Sequence, residues 1–377
     1  GQQADGANVD RNYFHKVAFP SSAGRVRYIA SNNHTGSETA SSCMVLMEDG
    51  DLYSWGYGVN GSLGLGNVTN YNTVQKVTAF DKNVKSISMS GGNYSHCVVI
   101  TNNNEIYTWG YNGYGQLGRG NTTTIHSTPV EVTISGQVPV KALATGGGSY
   151  GNICILMRSG RVYMAGYNTT GQFGNGNTTN QSTFVQVGGG LGVDTNKHVI
   201  DIFPRGTYGH NTWFLLEDGS MYACGQNALG VQGRGSATAN VSTPLAVSAE
   251  LTWVSEIIAP HGENGSYYQT MFIVHKNKED RIARRNGWVY MTGHPVLSLG
   301  YWNYQSPASS PIPPQLPNGV NGTIKMGSVS GYTGHSTGYN AAWQVLDQYG
   351  DMYQWGYDTS QQIGGEGNRP IPIKRIQ

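Results

Sequence analysis

Charge is scarce in this sequence. Only 12% of its 377 residues are charged, with 23 Lys and Arg against 22 Asp and Glu, which leaves a net charge of +1. This balance provides no field that would steer the chain onto nucleic acid or an anionic membrane. No hydrophobic run approaches the roughly 20 residues that a membrane-spanning helix needs. We therefore expect neither a nucleic-acid partner nor insertion into a membrane.

Cysteine is rare as well. The chain has 4 Cys and no Cys-x-x-Cys pair, which argues against a disulfide framework or a zinc site. Cys43 and Cys97 fall at matching places in two apolar segments, where we expect free thiols that pack as small hydrophobic side chains. The sequence begins Gly1-Gln2, with neither an initiator Met nor an apolar signal segment. We therefore expect a processed product, an engineered fragment or a piece of a longer protein.

A strand-like segment with the pattern Tyr-x-x-Gly occurs six times. The repeated tyrosines are Tyr53, Tyr107, Tyr163, Tyr222, Tyr290 and Tyr353. Units of this length are typical of supersecondary elements that bury their apolar faces by stacking on neighbouring copies. The 54 Gly and 24 Tyr also fit many short strands joined by tight turns.

The second repeat shows the internal order most clearly. Segments 84–88, 96–100 and 105–109 predict three consecutive strands, and 128–132 predicts a fourth. Pro129 favours an edge position for that fourth strand, because proline has no N–H to donate. Four antiparallel strands repeated six times predict an all-β fold, a β-propeller of six four-stranded blades with seven as the alternative. Radial closure in such a fold leaves only short, protected sheet edges.

Turn residues mark the hairpins between the second and third strands. Asp49-Gly50 and Asp218-Gly219 predict two-residue turns, with Ser159-Gly160 and Tyr349-Gly350 as variants. Both ends of the chain resemble a fourth strand, at residues 14–19 and 371–376. We expect one of them to complete the last blade by pairing the beginning of the chain with its end. The other then lies elsewhere, pairs with another chain or belongs to a seventh unit.

The predicted organisation is an N-terminal arm at residues 1–27, with a possible blade-closing strand, followed by a propeller at residues 28–377. Its repeats cover residues 28–80, 84–133, 140–187, 199–247, 254–317 and 324–377.

The Gly- and Asn-rich stretches after the third strands carry a family resemblance. Residues 55–67 and 109–121 strongly resemble the W-G-x-N-x-x-G-Q-L-G-x-G run of the regulator-of-chromosome-condensation (RCC1-type) repeat. Residues 166–177 are a third good match, residues 225–235 a less regular fourth, and the fifth and sixth repeats are degenerate. The resemblance implies a β-propeller of six or seven blades. Its members act as exchange factors for a small GTPase, as chromatin- or enzyme-binding modules, as secreted inhibitors and as domains of bacterial or viral surface proteins.

No catalytic or metal-binding constellation stands out. His96, His210, His261 and His335 lie in or near the loop after the first strand, but at different offsets, so that bonding to turn backbone explains them better than a shared metal. The acidic residues at hairpin tips need only a turn role. No Gly-rich run is followed by the Gly-Lys-Ser/Thr of a phosphate loop. We therefore predict a protein that is not an enzyme and has no catalytic residues, cofactor or metal.

Two irregular loops in the fifth repeat are candidate binding elements, because they interrupt the pattern where loops commonly carry function. Residues 275–287 replace the tight turn and carry five basic side chains that suit an acidic partner, a glycan or a phosphate, or simply keep a sheet edge soluble. Residues 301–317 form an aromatic, Pro-rich excursion that either offers anchors to a partner or plugs a weak blade. The candidates are Lys276, Lys278, Arg281, Arg284, Arg285, Tyr301, Trp302 and Tyr304.

Tyrosines after the Trp-Gly step form a second candidate set. They are Tyr57, Tyr111, Tyr114, Tyr167 and Tyr357. Some are expected to pack between blades, and others to offer aromatic rings for contact with a protein or a sugar.

The composition, low in charge and rich in Gly, Asn, Thr, Ser and Tyr, favours a binding or structural module exposed outside a cell or on a virion surface. A phage virion or tail-fibre-type component fits best, contacting a receptor, a glycan or another protein of a larger virion assembly. The alternatives are a guanine-nucleotide exchange factor for a Ran-like GTPase and a secreted protein inhibitor of an enzyme.

Overall fold

Six four-stranded antiparallel sheets are present in the computed structural model. The structure describes residues 3–7, 15–32, 41–147, 149–188, 191, 197–205, 211–227, 230–237, 240–258, 269–293, 308–313, 324–330, 342–356 and 369–375. The only helix among them is a single short segment, α1 (Lys278–Ala283). The prediction of an all-β chain is therefore confirmed.

Three sheets lie in the first half of the chain. Sheet 1 contains β1 (Val26–Ser31), β2 (Ser42–Met47), β3 (Leu52–Gly56) and β4 (Tyr71–Lys76). Sheet 2 contains β5 (Val84–Met89), β6 (His96–Thr101), β7 (Ile106–Tyr111) and β8 (Ile125–Val132). Sheet 3 contains β9 (Pro139–Gly147), β10 (Tyr150–Met157), β11 (Val162–Gly166) and β12 (Gln181–Gln186).

Three more sheets follow with the same order. Sheet 4 contains β13 (Val199–Arg205), β14 (Asn211–Leu216), β15 (Met221–Gly225) and β16 (Val241–Ala246). Sheet 5 contains β17 (Glu256–Ile258), β18 (Gln269–Val274), β19 (Trp288–Gly293) and β20 (Ala308–Ile312). Sheet 6 contains β21 (Ile324–Ser330), β22 (Ala342–Asp347), β23 (Met352–Gly356) and β24 (Arg369–Arg375).

Each sheet is a meander in which consecutive strands pair, so its first and fourth strands are the edges. Pro129 lies in β8, the fourth strand of sheet 2, as predicted for an edge. Pro244 and Pro311 lie in the fourth strands β16 and β20. In a meander, the connections from strand 1 to 2 and from strand 3 to 4 meet at the same end of the sheet. The tyrosines after the third strands therefore share an end with the turns after the first strands.

The chain divides into two compact units, each with its own core. One unit comprises Gly1–Thr169 and Thr179–Val187 and holds sheets 1 to 3. Between its sheets 1 and 2, Met44, Phe80 and Trp109 belong to one buried cluster, and a second cluster fills the space between sheets 2 and 3. The alternation of apolar residues along each strand supplies these facing surfaces.

The other unit comprises Thr170–Thr178 and Gly188–Gln377 and holds sheets 4 to 6. Trp213 and Phe272 pack between sheets 4 and 5, with ring centroids 6.0 Å apart. Trp343 and Trp355 are fully buried in the cluster between sheets 5 and 6. Large aromatic side chains thus join neighbouring sheets in this unit as well.

The Gly-rich loop after a third strand docks on the fourth strand of the next sheet. Gly66 donates its N–H to the Ser127 carbonyl in β8 at 3.0 Å, and Gly120 donates to Ser182 in β12 at 2.7 Å. A Cβ built on Gly115 would lie 2.5 Å from Cα of Ser182, closer than such atoms approach. The repeated Gly residues of these loops are therefore required by this contact.

The glycine that ends each third strand is fixed by a second contact. Gly110 has φ +101°, and a Cβ there would lie 2.5 Å from the Ser95 carbonyl oxygen. Gly56 and Gly166 have φ +98° and +111° and face equivalent carbonyls. Gly225 and Gly293 share this geometry, with φ +99° and +105°. It explains why glycine follows the aromatic or small residue in the first five repeats.

The predicted hairpin pairs lie within longer connections than the two-residue turns expected of them. Residues 48–51 join β2 to β3, and residues 217–220 join β14 to β15. Gly50 and Gly219 have φ +89° and +87°, and each donates its N–H to the last residue of the preceding strand. The glycine follows a tight turn as a left-handed residue, so one further residue is needed before pairing resumes.

The C-terminal candidate completes the last sheet, because β24 pairs with β23. The N-terminal candidate lies elsewhere: within the described residues 15–25 no strand precedes β1. Phe19 packs edge-on against Tyr53 and Trp55 of β3, at centroid distances of 5.7 and 6.1 Å. The last sheet is thus built from the end of the chain, and the beginning covers sheet 1.

Candidate functional site: a tyrosine surface

Five tyrosines come together at one end of sheets 2 and 3, and we name them the tyrosine surface. They are Tyr94, Tyr111, Tyr114, Tyr150 and Tyr167. Ring centroids of Tyr94 and Tyr111 lie 4.7 Å apart. Tyr114, Tyr150 and Tyr167 form a triangle with centroid distances of 5.3, 5.3 and 4.8 Å. The prediction from sequence named three of the five and missed Tyr94 and Tyr150.

The backbone holds the tyrosines in place. Tyr111 and Tyr167 each follow or end a third strand, and their N–H groups donate to the Ser95 and Gly151 carbonyls at 3.0 and 2.9 Å. Tyr57 makes the equivalent bond to Ser41, also at 3.0 Å. These bonds are possible because the glycine before each tyrosine brings the third strand close to the start of the second. The sequence pattern therefore positions one tyrosine in each of the first three repeats.

The loop that carries Tyr114 is held by a buried asparagine. Asn112 is fully buried, and its side-chain oxygen accepts the N–H of Leu117 at 3.0 Å. Its amide donates to the Asn121 carbonyl at 3.0 Å, which closes the loop across its base. Gln116 accepts the N–H of Tyr114 at 2.9 Å. The Asn and Gln of the repeat motif thus order the loop from inside.

The tyrosine surface combines ordered rings with access to solvent. Tyr94 is 40% exposed and Tyr111 is 9% exposed, whereas Tyr114, Tyr150 and Tyr167 are half-buried. Burial raises the pKa of Tyr111 above its ordinary value, and burial followed by the neighbouring Tyr150 raises the pKa of Tyr114. Both phenols therefore stay protonated at neutral pH. Such rings offer apolar area at little entropic cost together with hydroxyls that donate and accept hydrogen bonds.

The basic insertion of the fifth repeat folds onto its own unit. Residues 275–287 contain α1, which begins after Asn277, whose side chain accepts the N–H of Asp280 at 2.8 Å. Arg281 pairs with Asp201 and donates to the Val254 carbonyl at 2.7 Å. A long hairpin tip was expected here, and the structure shows that it contains a short helix bonded to Asp201 of sheet 4 and to Val254.

Two more arginines of the insertion have partners within the chain. Arg284 pairs with Glu256, and Arg285 donates to Asp280 at 2.8 Å. The Arg285 hydrogen bond lowers the pKa of Asp280. Lys276 and Lys278 are exposed. Of the five predicted basic candidates, the three arginines therefore serve internal ion pairs, and the two lysines face solvent.

The remaining candidates are placed as follows. Tyr57 is half-buried at the equivalent position of sheet 1. Tyr301, Trp302, Tyr304 and Tyr357 lie outside the described residues, as do His210, His261 and His335.

His96 is buried inside the first unit and has a structural role. Its Nδ1 lies 2.9 Å from the Ser90 hydroxyl and its Nε2 lies 3.1 Å from the Asn152 carbonyl oxygen. Burial lowers its pKa to about 4, so the ring is neutral at physiological pH.

Within the described part of the chain, no group of three or more His, Cys, Asp or Glu side chains is arranged to hold a metal ion. All 4 cysteines are free thiols. No helix among the described residues is both long and apolar enough to cross a bilayer.

Comparison with known proteins identifies the class. Residues 49–100 and 103–150 match the family model of the regulator of chromosome condensation (RCC1) repeat. The structure of yeast Prp20p from Saccharomyces cerevisiae superposes with a TM-score of 0.64 at 18% identity, covering 93% of this chain and 77% of that one. Human WBSCR16 superposes with a TM-score of 0.67 at 15% identity, covering 96% and 84%. The predicted β-propeller class is thereby confirmed, with six four-stranded sheets as its blades.

A curated relative supports the same family. The ultraviolet-B receptor UVR8 of Arabidopsis thaliana is 30% identical over 196 residues, which are 52% of this chain and 42% of the receptor. The chain thus spans less than half of that relative's length. The chain is thus similar to RCC1-repeat proteins over the matched residues.

Proposed function

We propose that the chain is a non-enzymatic protein-binding β-propeller and that it holds its partner at the tyrosine surface. The observation that carries the proposal is the convergence of Tyr114, Tyr150 and Tyr167 on loops ordered by buried amides and backbone hydrogen bonds. Partly exposed aromatic rings on a rigid support are typical anchors of protein interfaces. The similarity to RCC1-type propellers favours a protein partner, because the similar protein Prp20p binds Gsp1p and histones.

The test compares a variant that loses two rings with a matched control. Y114S/Y150S removes two of the three rings of the triangle, and Y349S removes a tyrosine that is 75% exposed in the turn between β22 and β23. A protein captured by the wild-type chain from its native milieu is identified, purified and titrated against all three chains. Binding should fall by about tenfold or more for Y114S/Y150S, as for interface hot spots, and stay within about twofold for Y349S.

Equal binding by Y114S/Y150S and the wild-type chain would show that the partner docks elsewhere. Turnover of a substrate by the purified chain would contradict the non-enzymatic part of the proposal. Circular dichroism of the double variant distinguishes loss of contact from loss of fold.

Guanine-nucleotide exchange is the second candidate, favoured by the structural likeness to Prp20p. The measurement is release of fluorescent GDP from a Ran-like GTPase, with and without the chain. Release that is no faster with the chain excludes this activity. A secreted enzyme inhibitor is the third possibility from sequence, and the same capture experiment tests it by identifying the protein bound.

The finer prediction of a phage virion or tail-fibre component, exposed outside the cell, rests on composition alone and stays a prediction. Its test is binding of labelled chain to intact bacterial cells or to purified virion proteins. Absence of binding to both would remove the support for that setting.

A further inference from the structure

A cavity of about 310 Å³ lies within the first unit, among the first strands of sheets 1, 2 and 3. The strand β5 contacts both β1 and β9, and the Ser88 hydroxyl of β5 accepts the N–H of Ala144 of β9 at 3.0 Å. Direct contacts therefore fix the three strands that frame the cavity. Its volume lies at the lower end of the range for small-molecule sites.

Irregular pairing brings one residue from each of these sheets to the cavity. Arg27, Lys85 and Val140 are the extra residues at the bulges of β1, β5 and β9, where each is skipped in the pairing with the second strand. All three line the cavity, which we name the bulge cavity. Bulges re-aim side chains and recur next to functional sites. Equivalent points of three repeats thus supply two cations and one aliphatic side chain.

The two cations at the bulges are available to an anion. Within the described part of the chain, neither Arg27 nor Lys85 forms a salt bridge, and no residue that lines the cavity is acidic. Arg27 is exposed and Lys85 is half-buried. Lys141 lines the cavity as well but has an interaction of its own. The positive charge open to a ligand therefore comes from Arg27 and Lys85.

The inner wall of the bulge cavity is apolar. Leu46, Ile87 and Ala142 line it, and their exposed fractions are only 1%, 7% and 7%. Val140 is 43% exposed, so an aliphatic side chain faces solvent beside this wall. A hydrocarbon chain placed there would remove apolar surface from water on both sides, which favours its binding. The cavity thus combines an apolar wall with two cations.

We propose that the bulge cavity binds a small aliphatic carboxylate. Arg27 and Lys85 contact the carboxylate group, and the hydrocarbon chain lies against Val140 and the apolar wall. The planar guanidinium of Arg27 suits two parallel hydrogen bonds to a carboxylate. Each CH2 group buried against the wall should strengthen binding by about fourfold, which a purely inorganic anion cannot gain.

The bulge cavity and the tyrosine surface are separate sites. Arg27 and Lys85 lie at the beginnings of β1 and β5, whereas Tyr94 follows the end of β5. The two sites therefore lie towards opposite ends of the same strands and share no residue. Occupation of the cavity is independent of the protein partner proposed above, so either proposal can fail without the other.

Isothermal titration of the full chain with butyrate, hexanoate and octanoate tests the proposal. The affinity should rise by about tenfold or more with each pair of added CH2 groups, because the wall buries them. Octanamide has the same chain but no charge. It should bind about tenfold more weakly than octanoate, since hydrogen bonds to a charged group are stronger than those to a neutral one.

Four variants separate the two parts of the cavity. R27Q and K85Q should each weaken octanoate binding by about tenfold and leave octanamide binding within about twofold. V140S should weaken the binding of both ligands by about threefold or more, because it removes apolar contact. R158Q removes an exposed positive charge of the same unit outside the cavity lining. It should leave binding of both ligands within about twofold, because an isolated surface charge contributes little.

Affinity that rises with chain length and falls in R27Q and K85Q supports an aliphatic carboxylate as the ligand class. Equal affinity for the three chain lengths would overturn the proposal, because the wall would then play no part. Equal losses in K85Q and R158Q, or no binding of octanoate, would overturn it as well. Thermal melts of each variant without ligand verify that the fold is retained.

Discussion

Nε2 of His96 lies 3.1 Å from the carbonyl oxygen of Asn152, so that one buried imidazole joins the second strands of sheets 2 and 3. Nδ1 of the same ring lies 2.9 Å from the Ser90 hydroxyl. Gly151 makes room for the imidazole, because a Cβ there would collide with Cε1 of His96. The neutral imidazole of His96 thus links sheets 2 and 3 within the first unit.

This arrangement predicts a pH-dependent stability. Burial lowers the pKa of His96 from 6.5 to about 4, so the unfolded chain binds the proton more readily than the folded one. The free energy of unfolding should therefore fall as the pH drops from about 6.5 towards 4, with a contribution from His96 of about 2 kcal/mol lost at pH 5. Urea titrations of the wild type and H96Q at pH 7 and pH 5 measure this.

The expected difference between the two pH values is about 2 kcal/mol smaller in H96Q than in the wild type. H198Q, which removes a half-exposed imidazole, is the control and should keep the wild-type difference. An identical pH dependence in H96Q and the wild type would contradict the role of His96.

Gly110, which lies at the end of a third strand, predicts that one added methyl group strongly lowers the stability of the fold. G110A places a Cβ 2.5 Å from the Ser95 carbonyl oxygen and forces a positive φ on alanine. We expect a loss of about 3 kcal/mol or more, since strain and collision add. G136A is the matched control, because Gly136 has φ +68° and a Cβ there meets nothing within 4 Å. G136A should lower the free energy of unfolding by about 1 kcal/mol. Equal losses in both variants would refute the close contact between residue 110 and the Ser95 carbonyl. Chemical denaturation measures both.

The buried side-chain amide of Asn112 predicts a loss of stability when it is removed. N112A leaves the N–H of Leu117 without its acceptor in a buried position, which should destabilise the chain by about 1–3 kcal/mol. Asn67 makes a similar bond to the N–H of Thr69 at 2.9 Å, but in an exposed setting where water replaces it. N67A should therefore cost less than about 0.5 kcal/mol. Comparable losses in the two variants would show that burial does not decide the outcome.

The ion pairs of the basic insertion predict local rather than global loosening. R281M removes the partner of Asp201, and both side chains are only 16–17% exposed. Loss of this charged contact should destabilise the docked insertion by about 2 kcal/mol, less than loss of a fully buried pair, because water reaches both side chains. Hydrogen exchange of residues 276–287 should accelerate by about tenfold or more. K278M, which removes an exposed cation from the same helix, should leave exchange unchanged, and acceleration by both variants would argue against the pair.

The repeat sequence predicts most of the fold because each repeat carries the same local determinants. A positive-φ glycine at the end of five third strands and a proline in four of the fourth strands mark the repeats along the chain. The copy at residues 371–376 could be assigned to the last sheet only from pairing, since residues 14–19 carry the same apolar pattern. Period and composition give no information on which of two similar strands reaches an open edge.

The candidate site was only partly predictable. Tyr111, Tyr114 and Tyr167 follow the motif and could be named from it, whereas Tyr94 and Tyr150 come from turns after first strands. Both follow Gly-rich stretches of sequence, at residues 91–93 and 146–149, and that shared sequence context is the signal that could have found them. Likewise, no local pattern reveals that Arg281 meets Asp201, because 80 residues separate them in the chain.

The docking of each Gly-rich loop runs in one direction along the chain. The N–H of Gly66 donates to β8, that of Gly120 donates to β12, and that of Gly176 donates to the Ser242 carbonyl of β16 at 2.8 Å. In these three cases the loop that follows one sheet docks on the fourth strand of the next sheet. Deleting a whole repeat from the middle of a unit would leave the incoming loop facing a foreign strand. The hairpin tips at residues 48–51 and 217–220 are held as well, because Val84 and Trp253 donate their N–H groups to the Gly50 and Gly219 carbonyls at 3.1 and 3.0 Å. Rearranged repeats will therefore fold only if each loop or tip is kept together with the segment that receives it.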